Sequence, residues 1–335
     1  MTQPNHSTPR RNGPRRSVAL LLIASIVVPA VLAAAVVWGG PGAIAPLASI
    51  NDPFRGVDYS KVPRAQYYTA RDGTRLAWHG YSPTPTPTST TSRRVVLVHG
   101  SSARGQSMHV LAQALAAEGY AVAALDMRGH GDSGPRGQIG YIGQLEDDLE
   151  DFMHAVPHAG PQTLMGFSSG GGFVLRFAAS PQQALFERYV LLSPFLHHNA
   201  PTNRPGNGGW VSVGLPRILA LTALNRIGIA RWNDLPVLRF ALNEQARHIL
   251  TPSYSYALAT NFRPHDDYLN DIRNAQGRLC IVAGREDELF QAERFAGVFE
   301  SAGKTVPVTL VPGVNHMGLT LDAAAVRTVA RACKD

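Results

Sequence analysis

Gly166-Phe167-Ser168-Ser169-Gly170 decides how this chain folds. The apolar Thr163-Leu164-Met165 precedes it, and Gly171-Gly172 with a helix-favouring run to Ala179 follows. Gly-x-Ser-x-Gly between a strand and a helix is a nucleophile elbow. The turn is tight and strained, so the residues two positions from the serine must lack bulk. Glycine there lets strand and helix approach closely while the serine Oγ projects free. Serine is a weak nucleophile on its own, so the reading requires a base and an orienting acid further along the chain.

Both follow in order. Residues 279–283 form an apolar strand pattern that ends in Gly284-Arg285-Glu286-Asp287, and residues 308–311 form another that ends in Pro312-Gly313-Val314-Asn315-His316. Ser168, Asp287 and His316 each sit just past the C-terminal end of a predicted strand, in the chain order Ser–Asp–His. The chain therefore resembles the α/β-hydrolases, in particular the monoglyceride-lipase, lysophospholipase and proline-iminopeptidase-like branch. His99-Gly100-Ser101, the segment from Leu125 to Gly134 and Asn315-His316-Met317-Gly318 carry the same likeness, which covers roughly residues 64 to 333. The resemblance implies Ser168 as nucleophile, His316 as base and Asp287 as the acid, with Glu286 and Glu288 as rivals for that last role. It also implies an oxyanion hole built from the backbone amides of Ser101 and Ser169, and it calls for no metal or organic cofactor. His99 is expected to be structural.

Around these motifs the chain alternates. Strands are predicted at 66–70, 76–81, 95–98, 121–125, 163–167, 188–192, 279–283 and 308–311, and helices at 106–118, 142–155, 170–179, 290–301 and 320–333. Apolar strands that alternate with helices make a mostly parallel sheet buried on both faces. Residues 194–276 interrupt the pattern where a helical cap is expected, within a domain spanning 64–335. The apolar stretch from residue 210 to 242 carries only Arg217, Arg226, Arg231, Arg239 and Asp234 as charges, so it suits either an acyl-chain slot or an ordinary amphipathic cap. His197-His198 lacks an evident third metal ligand, and the Gly-x-Gly-x-x-Gly match at 129–134 is followed by Pro135 and Gly137, which break the helix a dinucleotide site needs.

The 335 residues carry a net charge of +7, of which Arg10, Arg11, Arg15 and Arg16 supply four charges. The rest is close to balanced, which argues against nucleic-acid binding. Residues 1–16 form a basic tail. No charged side chain occurs from Ser17 to Asn51, and the apolar run 18–38 matches the ~20 residues that a membrane span needs. Residues 17–38 are expected to be a transmembrane anchor with the catalytic domain extracytoplasmic, or else a signal peptide cleaved near Ala33-Ala34-Ala35 or Ala43-Ile44-Ala45 to release a secreted enzyme. Residues 39–63 are expected to be a linker, and residues 82–92 a solvated low-complexity loop. Cys280 and Cys333 could pair in an oxidising compartment. The expected substrate is a small-molecule or lipid carboxylic ester. Proline-iminopeptidase-type peptidase, thioesterase, cofactor-free peroxidase and non-catalytic binding protein on the same fold are the alternatives.

Overall fold

The computed structural model describes residues 14–84 and 92–332, with the side chains of the first helix described from residue 25 onward and that of residue 207 not described. The tail 1–13, the low-complexity residues 85–91 and residues 333–335 lie outside the described residues, and with Cys333 so does the pairing with Cys280 that the sequence allows.

Helix α1 (Pro14–Trp38) leads through α2 (Ala48–Asn51) to the hairpin of β1 (Ala65–Thr69) and β2 (Arg75–Tyr81). Then β3 (Arg94–Val98), α3 (His109–Ala117), β4 (Ala121–Leu125), α4 (Gln144–Ala155), β5 (Gln162–Phe167), α5 (Ser169–Ala178) and β6 (Arg188–Leu192) alternate. An insertion follows, made of β7 (Val211–Val213), α6 (Leu215–Arg226), β8 (Pro236–Phe240), α7 (Glu244–Ile249), β9 (Ser253–Ser255), α8 (Tyr256–Asn261) and α9 (Tyr268–Asn274). The chain closes with β10 (Arg278–Gly284), α10 (Phe295–Ser301), β11 (Val308–Val311), α11 (Gly318–Leu321) and α12 (Ala323–Ala332).

Eight strands form one sheet in the order β1-β2-β4-β3-β5-β6-β10-β11. Only the β1–β2 and β2–β4 pairs are antiparallel. This is the α/β-hydrolase fold: a mostly parallel sheet with helices on both faces. Alternate strand residues go to opposite layers, because successive side chains point to opposite faces. Val96, Val98, Leu164 and Ile281 join the layer with α4 and α5, whereas Val95, Leu97, Met165 and Val282 join the layer with α3 and α12.

Three expectations need correction. The insertion is not all helical: β7, β8 and β9 make a separate three-stranded antiparallel sheet. Its central strand buries Val237 and Phe240 and exposes Arg239, with an irregularity in its register between Pro236 and Leu238 that breaks strict alternation. The helix expected over 290–301 begins only at Phe295. The amides of Leu289 and Phe290 turn back onto Asp287 Oδ1 instead, each at 2.9 Å. The closing helix is broken at Asp322, whose carboxylate accepts from the amides of Ala324 and Ala325 and so starts a second helix. Among the described residues no helix is long and apolar enough to cross a membrane; the part of α1 with described side chains, residues 25–38, is shorter than a span requires. The segment after α1 is pinned to the insertion: the Leu47 amide donates to Ala241 O at 2.9 Å, and Asn51 Nδ2 donates to the same carbonyl at 3.0 Å.

The elbow between β5 and α5 depends on missing side chains. A Cβ at Gly170 would lie 2.3 Å from His99 O, and one at Gly166 would lie 2.2 Å from Gly170 O. We expect Gly170→Ala to destabilise the protein by about 1–3 kcal/mol, the usual cost of overpacking, as read by urea unfolding.

Candidate active site

Ser168 stands at the apex of the elbow with φ 56° and ψ −119°. Left-handed φ is costly for a residue with a side chain, and the surroundings hold it. The Ser168 amide donates to Leu192 O at 2.9 Å, and Ser168 O accepts from the amides of Gly172 and Phe195, both at 3.0 Å. The backbone is thus gripped by β6, by α5 and by the start of the insertion.

The structure brings Ser168, Asp287 and His316 together. His316 Nε2 lies 3.1 Å from Ser168 Oγ, and His316 Nδ1 lies 2.8 Å from Asp287 Oδ2. Asp287 accepts the ring N–H at Nδ1, which leaves Nε2 as the acceptor facing the serine hydroxyl. Asp287 and His316 are both buried. Burial pushes the Asp287 carboxyl up, but the charge and hydrogen bond of His316 with the Phe290 and Leu289 amides outweigh it and hold the group below its ordinary value. The rivals of Asp287 fall elsewhere: Glu288 Oε2 accepts from the His316 amide at 2.9 Å, so it holds the histidine backbone rather than the ring.

Ser101 and Ser169 face each other across the site, with their hydroxyls hydrogen-bonded. Ser169 is the first residue of α5, so its amide has no intrahelical acceptor and is free to meet an anion. The loop carrying Ser101 is fixed one residue on, where the Ser102 amide donates to Tyr254 Oη at 2.6 Å. His99 lies beneath this loop. Its Nδ1–H donates to Gly100 O at 2.8 Å, and its Nε2 accepts from the Met127 amide at 3.2 Å. His130 continues the arrangement: Nδ1 faces the carbonyls of Met127 and Arg128, and Nε2 accepts from Tyr254 at 2.6 Å. Burial pulls His99 down to about 4 and His130 well below the ordinary histidine value. The Gly-rich loop from 129 to 134 wraps a carboxylate rather than a phosphate: Asp126 accepts from the amides of Gly105 and Asp132.

A cavity of about 860 Å³ opens above Ser168. Phe167, Phe195, Trp210, Leu238, Phe240 and Phe290 are among its walls, with Ile50 and Phe54 from the segment after α1. Trp210 stands edge-on to the His316 ring, with centroids 5.5 Å apart. His197 and His198 also line the cavity, with their rings tilted against each other at 4.0 Å between centroids. Among the described residues no three His, Cys, Asp or Glu side chains gather as a metal site would.

Sequence reasoning missed Arg204. Its Nε donates to Asp287 O at 2.8 Å and to Phe290 O at 3.3 Å, and its own amide donates to Leu289 O at 2.9 Å. Asn203 and Phe290 form an antiparallel bridge beside it. The first segment of the insertion is thereby strapped onto the loop that carries the acid. No local signal marks this, because the partners are more than 80 residues apart.

A strand–elbow–helix serine with a histidine and a buried carboxylate behind it, beneath an apolar cavity, defines a serine hydrolase of the α/β class. Residues 89–321 match the family of serine aminopeptidase, S33, and the chain belongs to that family. A monoacylglycerol lipase from Mycolicibacterium smegmatis is 34% identical over 113 residues, a match spanning 32% of this chain and 38% of that relative. In fold the chain is similar to a soluble variant of monoglyceride lipase from Saccharomyces cerevisiae, with a TM-score of 0.62 at 19% identity over 83% of this chain and 96% of that one. It is also similar to a membrane phospholipase A, with a TM-score of 0.53 at 16% identity over 96% of both chains.

Two outcomes follow from this geometry. Arg204→Ala loosens the acid loop without touching the cavity wall, so kcat for ester hydrolysis should fall about tenfold with KM little changed, and Arg204→Lys should recover part of the loss. Separately, the buried neutral histidines set a pH slope. Between pH 6.5 and about 4 the unfolded chain takes up a proton at His99 that the folded chain refuses, so stability is full above that window and declines as pH falls through it. The unfolding free energy from urea titrations should drop over that range by up to about 1.4 kcal/mol per pH unit for each such histidine, and the slope should be shallower in His99→Gln.

Proposed function

We propose that the protein is a serine esterase for lipid-like carboxylic esters such as monoacylglycerols or lysophospholipids. Ser168 Oγ attacks the acyl carbon as His316 Nε2 takes its proton, with Asp287 orienting the ring and stabilising its charged form. The amides of Ser101 and Ser169 receive the oxyanion, each donor contributing about 3–4 kcal/mol of barrier lowering in sites of this kind. The C–O bond to the alcohol breaks, and the alcohol leaves with the proton held by His316. Water, deprotonated by the same ring, then hydrolyses the acyl-enzyme.

The observation that carries this reading is the chemistry of the cavity. Its walls near Ser168 are aromatic and aliphatic, which suits an acyl chain. An aminopeptidase must hold the charged amine of its substrate, and a carboxylate is the group that does so. Among the described residues lining the cavity, Asp266 is the only carboxylate, and it already pairs with Arg263 at 2.7 Å. That favours an ester over a peptide with a free N-terminus. The monoacylglycerol lipase relative and the likeness in fold to monoglyceride lipase and phospholipase support the same substrate class.

The arginine-rich start and the uncharged run that follows it further support a protein tethered at residues 17–38, with its catalytic domain on the far side of the membrane. The alternative is secretion after cleavage. The burial of Val36 against α6 favours retention, since cleavage after Ala35 would detach the helix from its packed end.

A fluorophosphonate probe should label the wild-type protein and not Ser168→Ala. The wild type should hydrolyse long-chain nitrophenyl esters at least about a hundredfold faster than prolyl amides. Equal labelling of both proteins, or a preference for the amide, would contradict the proposal.

A further inference from the structure

Exposed apolar side chains concentrate in one part of this molecule. Among the described residues sixteen large hydrophobic side chains stand exposed, and twelve of them lie in α1 or between residues 213 and 232. Scattered apolar residues are ordinary on a protein surface, but a contiguous group marks an interaction site. Trp38, Ile26, Ile227 and Leu219 are the most exposed of them, at 80%, 72%, 71% and 61%.

The two stretches form one body. Val36 is buried against Ala220, Leu221 and Leu224 of α6. Arg217, almost wholly buried, donates from Nε to Val36 O at 2.7 Å, from Nη2 to Val37 O at 2.8 Å and from Nη1 to Pro236 O at 2.7 Å. The first two acceptors belong to the last turn of α1, whose carbonyls lack intrahelical partners. The next residues are glycines for a steric reason: a Cβ at Gly40 would lie 2.4 Å from Arg217 Nη1. One guanidinium thus joins the end of α1 to α6 and to the central strand of the small sheet.

The mouth of the active-site cavity opens on the same face. Val213, Leu215 and Leu219 are exposed, and they also line the cavity above Ser168. The stretch from residue 210 to 242 is basic on its surface: Arg226, Arg231 and Arg239 are exposed against the single exposed carboxylate Asp234, and Arg226 also lines the cavity. A folded partner seated here would close the mouth. A lipid surface would not, because it is fluid and is the source of the substrate, and exposed arginines beside apolar side chains match its headgroup boundary.

We propose that α1 and the α6 face form a single lipid-docking surface, with Arg217 as the positioning residue that aims the cavity mouth into the bilayer. The docking places the last turn of α1 and the α6 face at the interface, where the end of a tether at residues 17–38 would hold them. Its substrate supply rests on the lipid-ester reading, whereas the docking itself does not.

The test uses the full chain with vesicles of phosphatidylcholine and phosphatidylglycerol. An environment-sensitive fluorophore on Ile227→Cys should be quenched at least about twofold by brominated acyl chains, while the same label on Arg327→Cys of α12 should not respond. Ile227→Asp combined with Trp232→Asp, neither of which lines the cavity, should lower the rate on vesicle-embedded monoacylglycerol about tenfold and leave a soluble short-chain ester unaffected. Arg217→Gln should keep vesicle binding and soluble-ester turnover but lose the quenching at position 227. The proposal is overturned if vesicle-bound protein shows no quenching at 227, or if that label is shielded by self-association in the absence of lipid. Quenching without hydrolysis of any ester would leave the docking standing and remove the esterase reading instead.

Discussion

The close packing of backbone on backbone at the elbow is the constraint on which everything else depends. Gly170 touches the carbonyl of His99, and Gly166 touches that of Gly170, at distances that admit no side chain. This contact forces Ser168 into left-handed φ and lifts its hydroxyl above the strand ends. It also brings the start of α5 against the loop after β3. One contact therefore sets both the nucleophile and the pair of amides beside it.

The remaining groups are held by successive supports. Asp287 is fixed by two amides of its own loop and by the His316 ring. Arg204 then ties that loop to the insertion. On the other flank, His99 and His130 stay neutral because they are buried and their ring nitrogens are already matched by a carbonyl, an amide and a tyrosine hydroxyl. The insertion is therefore more than a cover. It contributes cavity walls, a strap on the acid and, through Tyr254, a post under the Ser101 loop.

The sheet strands and the elbow were legible because their signals are local: an apolar run of strand length, a glycine pair around a serine, and a histidine or aspartate one turn past a strand end. The groups at the site could be named for the same reason. The small sheet of the insertion was not legible, since β7, β8 and β9 lie inside one apolar stretch and its flank, and β7 pairs with residues of β8 that lie 25 to 29 positions away. Residues 47–51 look like linker by composition, yet they pack onto Ala241 about 190 residues away. The apolar spacing over 290–301 reads as one long helix because it does not reveal that a nearby carboxylate claims the amides of Leu289 and Phe290. In the first two cases a tertiary partner overrode a local preference, and in the third a side chain two and three residues away competed with the helix for its amides.

The central claim is that the elbow serine carries the acyl group. Protein quenched in acid during turnover of a long-chain nitrophenyl ester, then digested and mapped by mass spectrometry, tests it most directly. The account predicts an added acyl mass on the peptide containing Ser168 and on no other. An acyl adduct on a different residue, or rapid turnover through an attacking water with Ser168 never modified, would contradict it.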